Sequence, residues 1–193
     1  KYSGVDEIVG IEPKNRYGKI SKKLVKENTA LYVDTNSQKE DEEIISSIKT
    51  LESLRAFMSE YKKCELHKSA TNMVFSDGNP KSKIMLIGEA PGHDEDIQGK
   101  PFVGRSGKLL DKMLNAIELS RDKVYIANII PWRPPNNRRP TDDEINMCLP
   151  MIKKHIEIIN PSAILLLGST ATSALIKNSE GITKIRGKWV DIE

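Results

Sequence analysis

Apolar residues recur at helical spacing between residues 44 and 61 of this chain. They lie mostly three or four residues apart: Ile44, Ile45, Ile48, Leu51, Leu54, Phe57, Met58 and Tyr61. Such spacing places apolar side chains on one face of a helix. We therefore predict a helix over residues 41–63 that packs on the following domain. Residues 1–40 are polar and aperiodic, so we predict a flexible leader with Leu31–Val33 as a short ordered piece.

From residue 64 onward, short apolar runs alternate with helical patterns. Three runs predict buried strands: 84–88, 124–130 and 163–168. Residues with helical spacing follow each run: 109–117, 145–159 and 171–175. Thr141–Glu144 (TDDE) is a capping box at the start of the second of these helices, and Pro150 predicts a kink within it. Apolar strands that alternate with helices are typical of a parallel sheet covered on both faces, so we predict an α/β domain over residues 64–193.

Composition limits the class of protein. The chain has 193 residues, of which 38% are apolar and 30% charged, which suits one globular domain with a polar extension. No apolar run approaches the ~20 residues that cross a bilayer, and no signal peptide opens the sequence, so we expect no membrane partner. Two cysteines are too few for a disulfide framework, which favours a cytoplasmic location. The net charge of +3 is compatible with a nucleic-acid partner but does not by itself indicate one.

Unusual residues follow the first predicted strand, at the edge where parallel sheets bind ligands. Gly88–Gly92 (GEAPG) predicts a tight turn that can approach a ligand closely, although an ordinary strand-to-helix turn has the same composition. The acidic run Asp94–Asp96 offers a carboxylate to orient water, while such runs are more often solvated surface. Phe102 is either a core residue or a stacking platform. A phosphate loop is excluded, because Phe102 and Leu109 occupy positions that need Gly and Ser or Thr.

Asn128 lies where the second predicted strand runs out. Its amide offers an acceptor beside two donors, which suits the N3–H and O4 edge of uracil, although capping a turn is the commoner role of such an Asn. Basic residues follow both strands, and we predict that five of them contact DNA phosphates: Lys100, Arg105, Arg133, Arg138 and Arg139. A basic loop facing solvent is the alternative.

Three segments together closely resemble family 4 uracil-DNA glycosylases, which generally carry an iron–sulfur cluster. The segments are Gly88–Leu114, Val124–Pro140 and Leu165–Trp189, within a resemblance that covers about residues 60–190. The resemblance implies a three-layer α/β/α fold around a four-stranded parallel sheet, with the last strand and the C-terminal helix missing from this chain. It also implies an enzyme that flips uracil out of double- or single-stranded DNA and hydrolyses the N-glycosidic bond, leaving an abasic site.

The resemblance assigns roles to individual residues. The substrate-binding residues that it implies are Gly88, Ala90, Pro91, Gly92, Phe102 and Asn128. The catalytic residues that it implies are Glu89, Glu95 and Asn128. We expect Glu95 to activate the attacking water, Phe102 to stack on the flipped base and Asn128 to read its edge. The enzyme is expected to act as a monomer in the cytoplasm, at the nucleoid.

The chain departs from the family at the cluster. Cys64 and Cys148 occupy the first and fourth ligand positions, whereas His67 and Trp132 replace the cysteines at the second and third. A 4Fe–4S cluster needs four ligands and tryptophan supplies none, so we predict a variant branch that has lost the cluster and binds no cofactor. The alternatives are an incomplete or histidine-ligated cluster and a zinc site that adds His155.

The family also has a closing His–Pro–Ser motif beyond the position of Trp189, which the sequence does not reach before Glu193. We therefore expect the chain as given to be impaired in catalysis. Two other functions stay open at this point. One is a module of the same fold that binds uracil-containing or damaged DNA without cleaving it, and the other is a small-molecule nucleotide- or flavin-binding α/β protein.

Overall fold

The structure is a computed structural model that describes residues 35–176 and 181–192. These residues belong to one compact unit, Thr35–Glu193. Most of the predicted leader, with the piece Leu31–Val33, lies outside the described residues. Helix α1 already begins at Thr35, before the predicted start of the first helix at residue 41.

One four-stranded sheet, in the order β1-β3-β2-β4, forms the centre of this unit. Its strands are β1 (Asp77–Gly78), β2 (Ile84–Gly88), β3 (Tyr125–Asn128) and β4 (Ala163–Leu166). β2 pairs in parallel with β3 and with β4, so the three predicted strands and the α/β class are confirmed. The two-residue strand β1 pairs antiparallel with β3 and was not predicted, so the sheet is mostly rather than entirely parallel.

Helices connect and flank these strands. Their bounds are α1 Thr35–Ser47, α2 Leu51–Glu60, α3 Leu66–Ser69, α4 His93–Gln98, α5 Arg105–Asn115, α6 Asp142–Ile159, α7 Ser169–Leu175 and α8 Ile182–Ile185. The single helix predicted over 41–63 is wrong, because Thr50 starts a new helix: its Oγ1 accepts a hydrogen bond from the Ser53 amide at 3.2 Å. Within the described ranges, no helix has the length and hydropathy to cross a bilayer.

Helix α6 begins as the sequence predicts. The Glu144 amide donates to Thr141 Oγ1 at 3.2 Å, and the Thr141 amide donates to the Glu144 carboxylate at 2.8 Å, which completes the capping box. The helix then continues through Pro150 to Ile159 as one element. The predicted second strand is shorter than expected and ends at Asn128, where the loop towards α6 begins.

The side chains of β2 alternate between two apolar cores. Met85 and Ile87 belong to the larger core, together with residues of α2 and α6. Leu86 belongs to the smaller core, with Leu110 and Leu114 of α5. This division on the two faces of the sheet gives the three-layer arrangement, because each face of a buried strand must be covered by apolar groups. The layers hold the carboxyl ends of β2 and β3 at one edge.

His155 is a buried titratable group on the larger-core face of α6. Its side chain is 2% exposed, and its ring centroid lies 4.5 Å from that of Phe75 and 5.9 Å from that of Tyr125. Its Nε2 atom has no hydrogen-bond partner in the part of the chain that is described. Burial therefore disfavours the charged imidazolium and lowers the pKa of His155 to about 3. The folded protein holds this histidine neutral.

The free energy of unfolding is expected to fall by about 2 kcal/mol from pH 7 to pH 5 because of His155. In the unfolded chain His155 binds a proton as the pH falls through the ordinary histidine pKa. In the folded chain it stays neutral until the pH reaches its much lower folded pKa. This stabilisation is therefore complete above the unfolded pKa and is lost as the pH falls towards the folded one. Urea unfolding at both pH values measures it. His155→Phe should remove this loss, and His93→Gln, at an exposed histidine, should retain it. An equal loss in His155→Phe would assign the effect to other groups.

Candidate active site

Gly88 and Asn128 lie side by side at the carboxyl ends of β2 and β3, where they are paired in the parallel ladder. The loop between α4 and α5 brings the ring of Phe102 over the same point. A Cβ atom on Gly88 would lie 2.4 Å from Phe102 Cζ and 2.6 Å from Asn128 Oδ1. Only glycine permits this approach, because any side chain would displace the ring or the amide. The three groups therefore meet at one point, and we call the space that borders this ring and this amide the slot.

Asn128 is a buried residue whose side-chain amide has no protein partner among the described residues, although the amide atoms still reach the surface. The residue is 7% exposed, and its side chain makes no hydrogen bond to any described residue. Buried polar groups are normally satisfied by protein, water or ligand, because leaving them without a partner costs free energy. Asn128 does not cap a turn, which was the alternative role that the sequence allowed. Its acceptor and two donors are available to a ligand in the slot.

Glu89, the residue after Gly88, joins the third strand end to this site. Its half-buried carboxylate accepts a hydrogen bond through Oε2 from Thr170 Oγ1. Thr170 is 1% exposed and lies in the first turn of α7, directly after β4. The other carboxylate oxygen, Oε1, has no protein partner among the described residues. Sequence reasoning missed Thr170, although the stretch Gly168–Thr170 was recognisable as the end of the third strand.

Glu95 has a different environment from Glu89. Its carboxylate accepts hydrogen bonds from three backbone amides: Gly92 at 3.1 Å, Val103 at 2.9 Å and Gly104 at 2.8 Å. These bonds tie the turn after β2 to the loop that carries Phe102 and to the start of α5. Because both of its oxygens are engaged in this way, Glu95 organises the loop. Both oxygens of Glu95 thus contact the backbone, whereas Oε1 of Glu89 has no protein partner among the described residues.

The other residues of the first motif lie close to this turn. Ala90 packs against the larger core, Pro91 is buried and Gly92 is the residue before α4. Asp96 is 2% exposed and accepts hydrogen bonds from the backbone amides of Thr71 and Asn72, at 2.8 and 3.0 Å. Asp96 therefore holds a neighbouring loop and is not part of a solvated acidic face.

Of the five residues predicted to contact phosphates, three have side chains without a protein partner in the described part of the chain and two are already paired. Lys100, Arg105 and Arg139 are exposed, and none of their side chains has a partner in residues 35–176 or 181–192. Arg138 forms a two-pronged ion pair with Glu144, with N–O distances of 2.8 and 2.6 Å. Half-buried Arg133 donates to Asn137 Oδ1 at 2.7 Å and contacts His93 Nδ1 at 3.1 Å. Arg133 and Arg138 would have to exchange partners before they could bind a phosphate.

The four positions that hold a cluster in the family lie on the larger-core side. Cys64 and Cys148 are buried and free, and a hydrogen bond between their thiols lowers the pKa of Cys64 and raises that of Cys148. The His67 ring is bonded through Nδ1 to the Cys64 carbonyl oxygen at 2.8 Å. Trp132 is 4% exposed and stacks on Tyr61, with ring centroids 6.4 Å apart and planes 14° apart.

These side chains do not fit a 4Fe–4S cluster. They supply two thiols, and Trp132 has no ligand atom for the fourth corner. No three His, Cys, Asp or Glu side chains of the described residues are grouped so that they could hold a metal ion. His155, which the zinc alternative requires, lies instead between Phe75 and Tyr125.

The profile of the Uracil DNA glycosylase superfamily matches residues 75–192. The chain belongs to this superfamily. Within it, the chain is 44% identical over 147 residues to the type-4 uracil-DNA glycosylase of Thermotoga maritima, covering 74% of this chain and 77% of that protein. It is 43% identical over 136 residues to that of Archaeoglobus fulgidus, with 68% of each chain covered. These matches place it in the type-4 family and confirm the resemblance.

For two other type-4 relatives the matched region covers a smaller share of the relative's own length. The enzyme of Saccharolobus solfataricus is 51% identical over 132 residues, which cover 66% of this chain and 61% of that protein. The match to the enzyme of Sulfurisphaera tokodaii covers 66% of that protein. The match thus spans less than two thirds of the length of each of these two relatives.

Proposed function

We propose that the protein removes uracil from DNA by hydrolysing its N-glycosidic bond, leaving an abasic site. The observation that carries this proposal is the meeting of Gly88, Phe102 and the unpaired Asn128 amide at one point of the sheet edge. A flat base can stack on a face of this ring with its polar edge towards the amide, whereas the space directly over Gly88 is filled by the ring itself. The type-4 relatives are named for the same activity.

Binding begins with extrusion of the nucleotide, because a base inside the duplex is out of reach of these residues. The ring of Phe102 then stacks on the flipped base, which replaces part of the stacking lost in the duplex. Asn128 Oδ1 accepts the N3–H of uracil while Nδ2 donates to O4. Exposed Lys100, Arg105 and Arg139 bind the phosphates on either side, which makes the affinity depend on salt.

Bond cleavage follows from where charge develops. As the C1′–N1 bond breaks, negative charge moves onto the uracil ring, and the Nδ2 donor of Asn128 stabilises it at O4. A water attacks C1′ and loses a proton to Glu89, whose Oε1 is free to orient that water. Uracil leaves as an anion and takes up a proton afterwards. Glu95 holds the loop between the turn and Phe102 in place throughout.

An oligonucleotide with one deoxyuridine tests the proposal. The complete protein should release free uracil from it, and alkali should then cleave the strand at that position. A matched oligonucleotide with thymidine should stay intact. Binding of the uracil strand without any alkali-labile site would support the non-cleaving module instead. Binding of free nucleotides without affinity for DNA would contradict both.

We also propose that this branch of the type-4 family works without its cluster. Trp132, stacked on Tyr61 beside Cys64 and Cys148, occupies the core with an apolar ring where a fourth ligand would be needed. Protein purified without oxygen should contain no iron or acid-labile sulfide and should show no broad visible absorption. Four irons per chain in such a preparation would contradict this proposal.

We also propose where the protein acts and in which oligomeric state. Both cysteines are free, which suits a reducing cytoplasm where the protein reaches the nucleoid. A flipped base is held by one chain in this arrangement, so we propose that a monomer acts on uracil-containing DNA, double- or single-stranded.

Thr170→Val is expected to lower the single-turnover rate of uracil release about 10-fold, because the side chain keeps its shape but no longer donates to Glu89. Thr170→Ser keeps the hydroxyl and should restore most of the rate. Thr172→Val is a matched control on the same helix, since Thr172 Oγ1 donates only to the Gly168 carbonyl, at 2.8 Å. A rate loss in Thr172→Val equal to that in Thr170→Val would show that only the helix, and not Glu89, is affected.

A further inference from the structure

Arg121 contacts the loop that carries Phe102, although it lies at the opposite end of β3 from Asn128. It belongs to a short 3₁₀ turn, Arg121–Lys123, that precedes β3. Its Nη1 donates to the Pro101 carbonyl oxygen at 3.0 Å, and its Nη2 donates to the Phe102 carbonyl oxygen. One guanidinium therefore binds two consecutive carbonyl groups of the loop.

Two carboxylates hold this guanidinium from the other side. Nη1 also donates to Asp77 of β1, and Nε donates to Asp111 of α5, both at 2.8 Å. Burial alone would lower the pKa of Arg121, but its hydrogen bonds and charge pairing with Asp111 and Asp77 raise it instead. The side chain is only 24% exposed. It is thus a charged group whose planar fork is fixed in direction.

The backbone that bears Arg121 is fixed as well. The Asn79 amide donates to the Val124 carbonyl at 2.8 Å, and Ser82 Oγ donates to the Lys123 carbonyl at 2.8 Å. Gly78 lies so close to this turn that a Cβ atom would be 2.7 Å from the Arg121 carbonyl oxygen. These contacts anchor the turn to strand β1. Arg121 therefore connects the loop to a rigid edge of the sheet.

Phe102 needs such support because of its backbone. Its φ angle is 55°, in the left-handed region that non-glycine residues avoid. The same peptide group presses against α5, where a Cβ atom on Gly107 would lie 1.7 Å from the Phe102 carbonyl oxygen. That carbonyl oxygen is thus held between Gly107 and Arg121. The peptide is thus fixed on both sides, which fixes the direction in which the side chain of Phe102 leaves the backbone, and its ring lies over Gly88.

We propose that Arg121 is a positioning residue for base stacking: it holds Phe102 in its left-handed conformation so that the ring stays over the slot beside Asn128. This inference rests on the proposed function, since it assigns the ring of Phe102 to the flipped base. It goes beyond that function because Arg121 touches neither Gly88 nor Asn128 and acts through the loop alone.

A double-mutant cycle tests this inference. Arg121→Gln, Phe102→Ala and the double variant are compared in single-turnover uracil release and in inhibition by free uracil. Arg121→Gln should lower the rate and weaken uracil binding by about 10- to 100-fold, and Phe102→Ala by a similar factor. In the double variant, Arg121→Gln should add less than about 2-fold to the effect of Phe102→Ala.

Further variants separate positioning from loss of structure. Arg121→Lys keeps the charge but lacks the planar fork, so it should fold like the wild type and still lose most of the stacking effect. Asp122→Asn, in the same turn with an exposed side chain, should leave rate and uracil affinity unchanged. Urea unfolding of every variant shows whether the fold is retained.

The outcomes are distinct. The positioning role would be overturned if the rate loss in the double variant equalled the product of the two single losses, or if Arg121→Lys were fully active. Either result would leave the proposed function intact. If Arg121→Gln does not fold, the same cycle with Arg121→Lys decides the question. A wild-type protein that releases no uracil would instead refute the proposed function.

Discussion

Asn128→Ala is expected to slow single-turnover uracil release by about 100- to 1,000-fold, the effect of removing one preorganised donor at a developing negative charge. The variant loses both the acceptor for N3–H and the donor to O4, while the ring of Phe102 remains. Because the amide has no protein partner, the free energy of unfolding should stay within about 1 kcal/mol of the wild type. A large loss of rate at unchanged stability would identify Asn128 as a residue kept for its ligand.

Two further variants make the Asn128 result specific. Asn128→Asp has the same shape but carries a negative charge and no amide donors, so it should be as impaired as the alanine variant. Asn146→Ala removes an exposed asparagine on α6 and should leave the rate unchanged. Wild-type rates in both Asn128 variants would refute the role of this amide in the reaction.

Gly107→Ala is expected to destabilise the protein by about 3 kcal/mol or more. The added Cβ would lie 1.7 Å from the Phe102 carbonyl oxygen and 2.0 Å from its carbonyl carbon. Both atoms belong to the peptide group that Arg121 also binds, so the loop cannot move aside without breaking that hydrogen bond. Urea unfolding measures the loss, and a protein that does not fold at all agrees with it.

The neighbouring positions control the Gly107 prediction. Ser106→Ala, at an exposed site in the same turn of α5, should change the free energy of unfolding by less than about 0.5 kcal/mol. Gly104→Ala should destabilise the protein more than Ser106→Ala and less than Gly107→Ala. Its Cβ would lie 3.1 Å from Asp94 Oδ2 and 3.2 Å from Glu95 Oε1, and both of these atoms are at the ends of side chains. Equal stability of Gly107→Ala and Ser106→Ala would contradict the close contact with Phe102.

These two predictions concern different features of the same site. Asn128 is left without a protein partner where a ligand can take its place, whereas Phe102 is held in a strained conformation by Gly107 and Arg121. Glu95 accepts two further backbone hydrogen bonds from the loop that carries Phe102 and one from Gly92 in the turn after β2. The stability of the surrounding structure thus maintains the left-handed conformation of Phe102, which is unfavourable by itself.

The sequence by itself determined the central strands and the place of the site. Unbroken apolar runs predict buried strands because both faces of a covered sheet need apolar side chains, and 84–88 coincides with β2. The assignment of parallel strands placed Gly88 and Asn128 at the same edge of the sheet, and the structure shows that they are paired in adjacent strands. The motifs also identified the family, since their residues and spacing are local properties of the chain.

Only the tertiary structure decided which side chains contact one another within the site. The Arg121–Asp77 contact joins residues 44 positions apart, and the Thr170–Glu89 hydrogen bond joins residues 81 positions apart. No local pattern encodes such pairs. The three acids Asp94–Asp96 look alike in sequence, yet Glu95 binds three amides and Asp96 is buried under another loop. A side chain's partners depend on where distant segments meet, and that is set by packing of the whole chain.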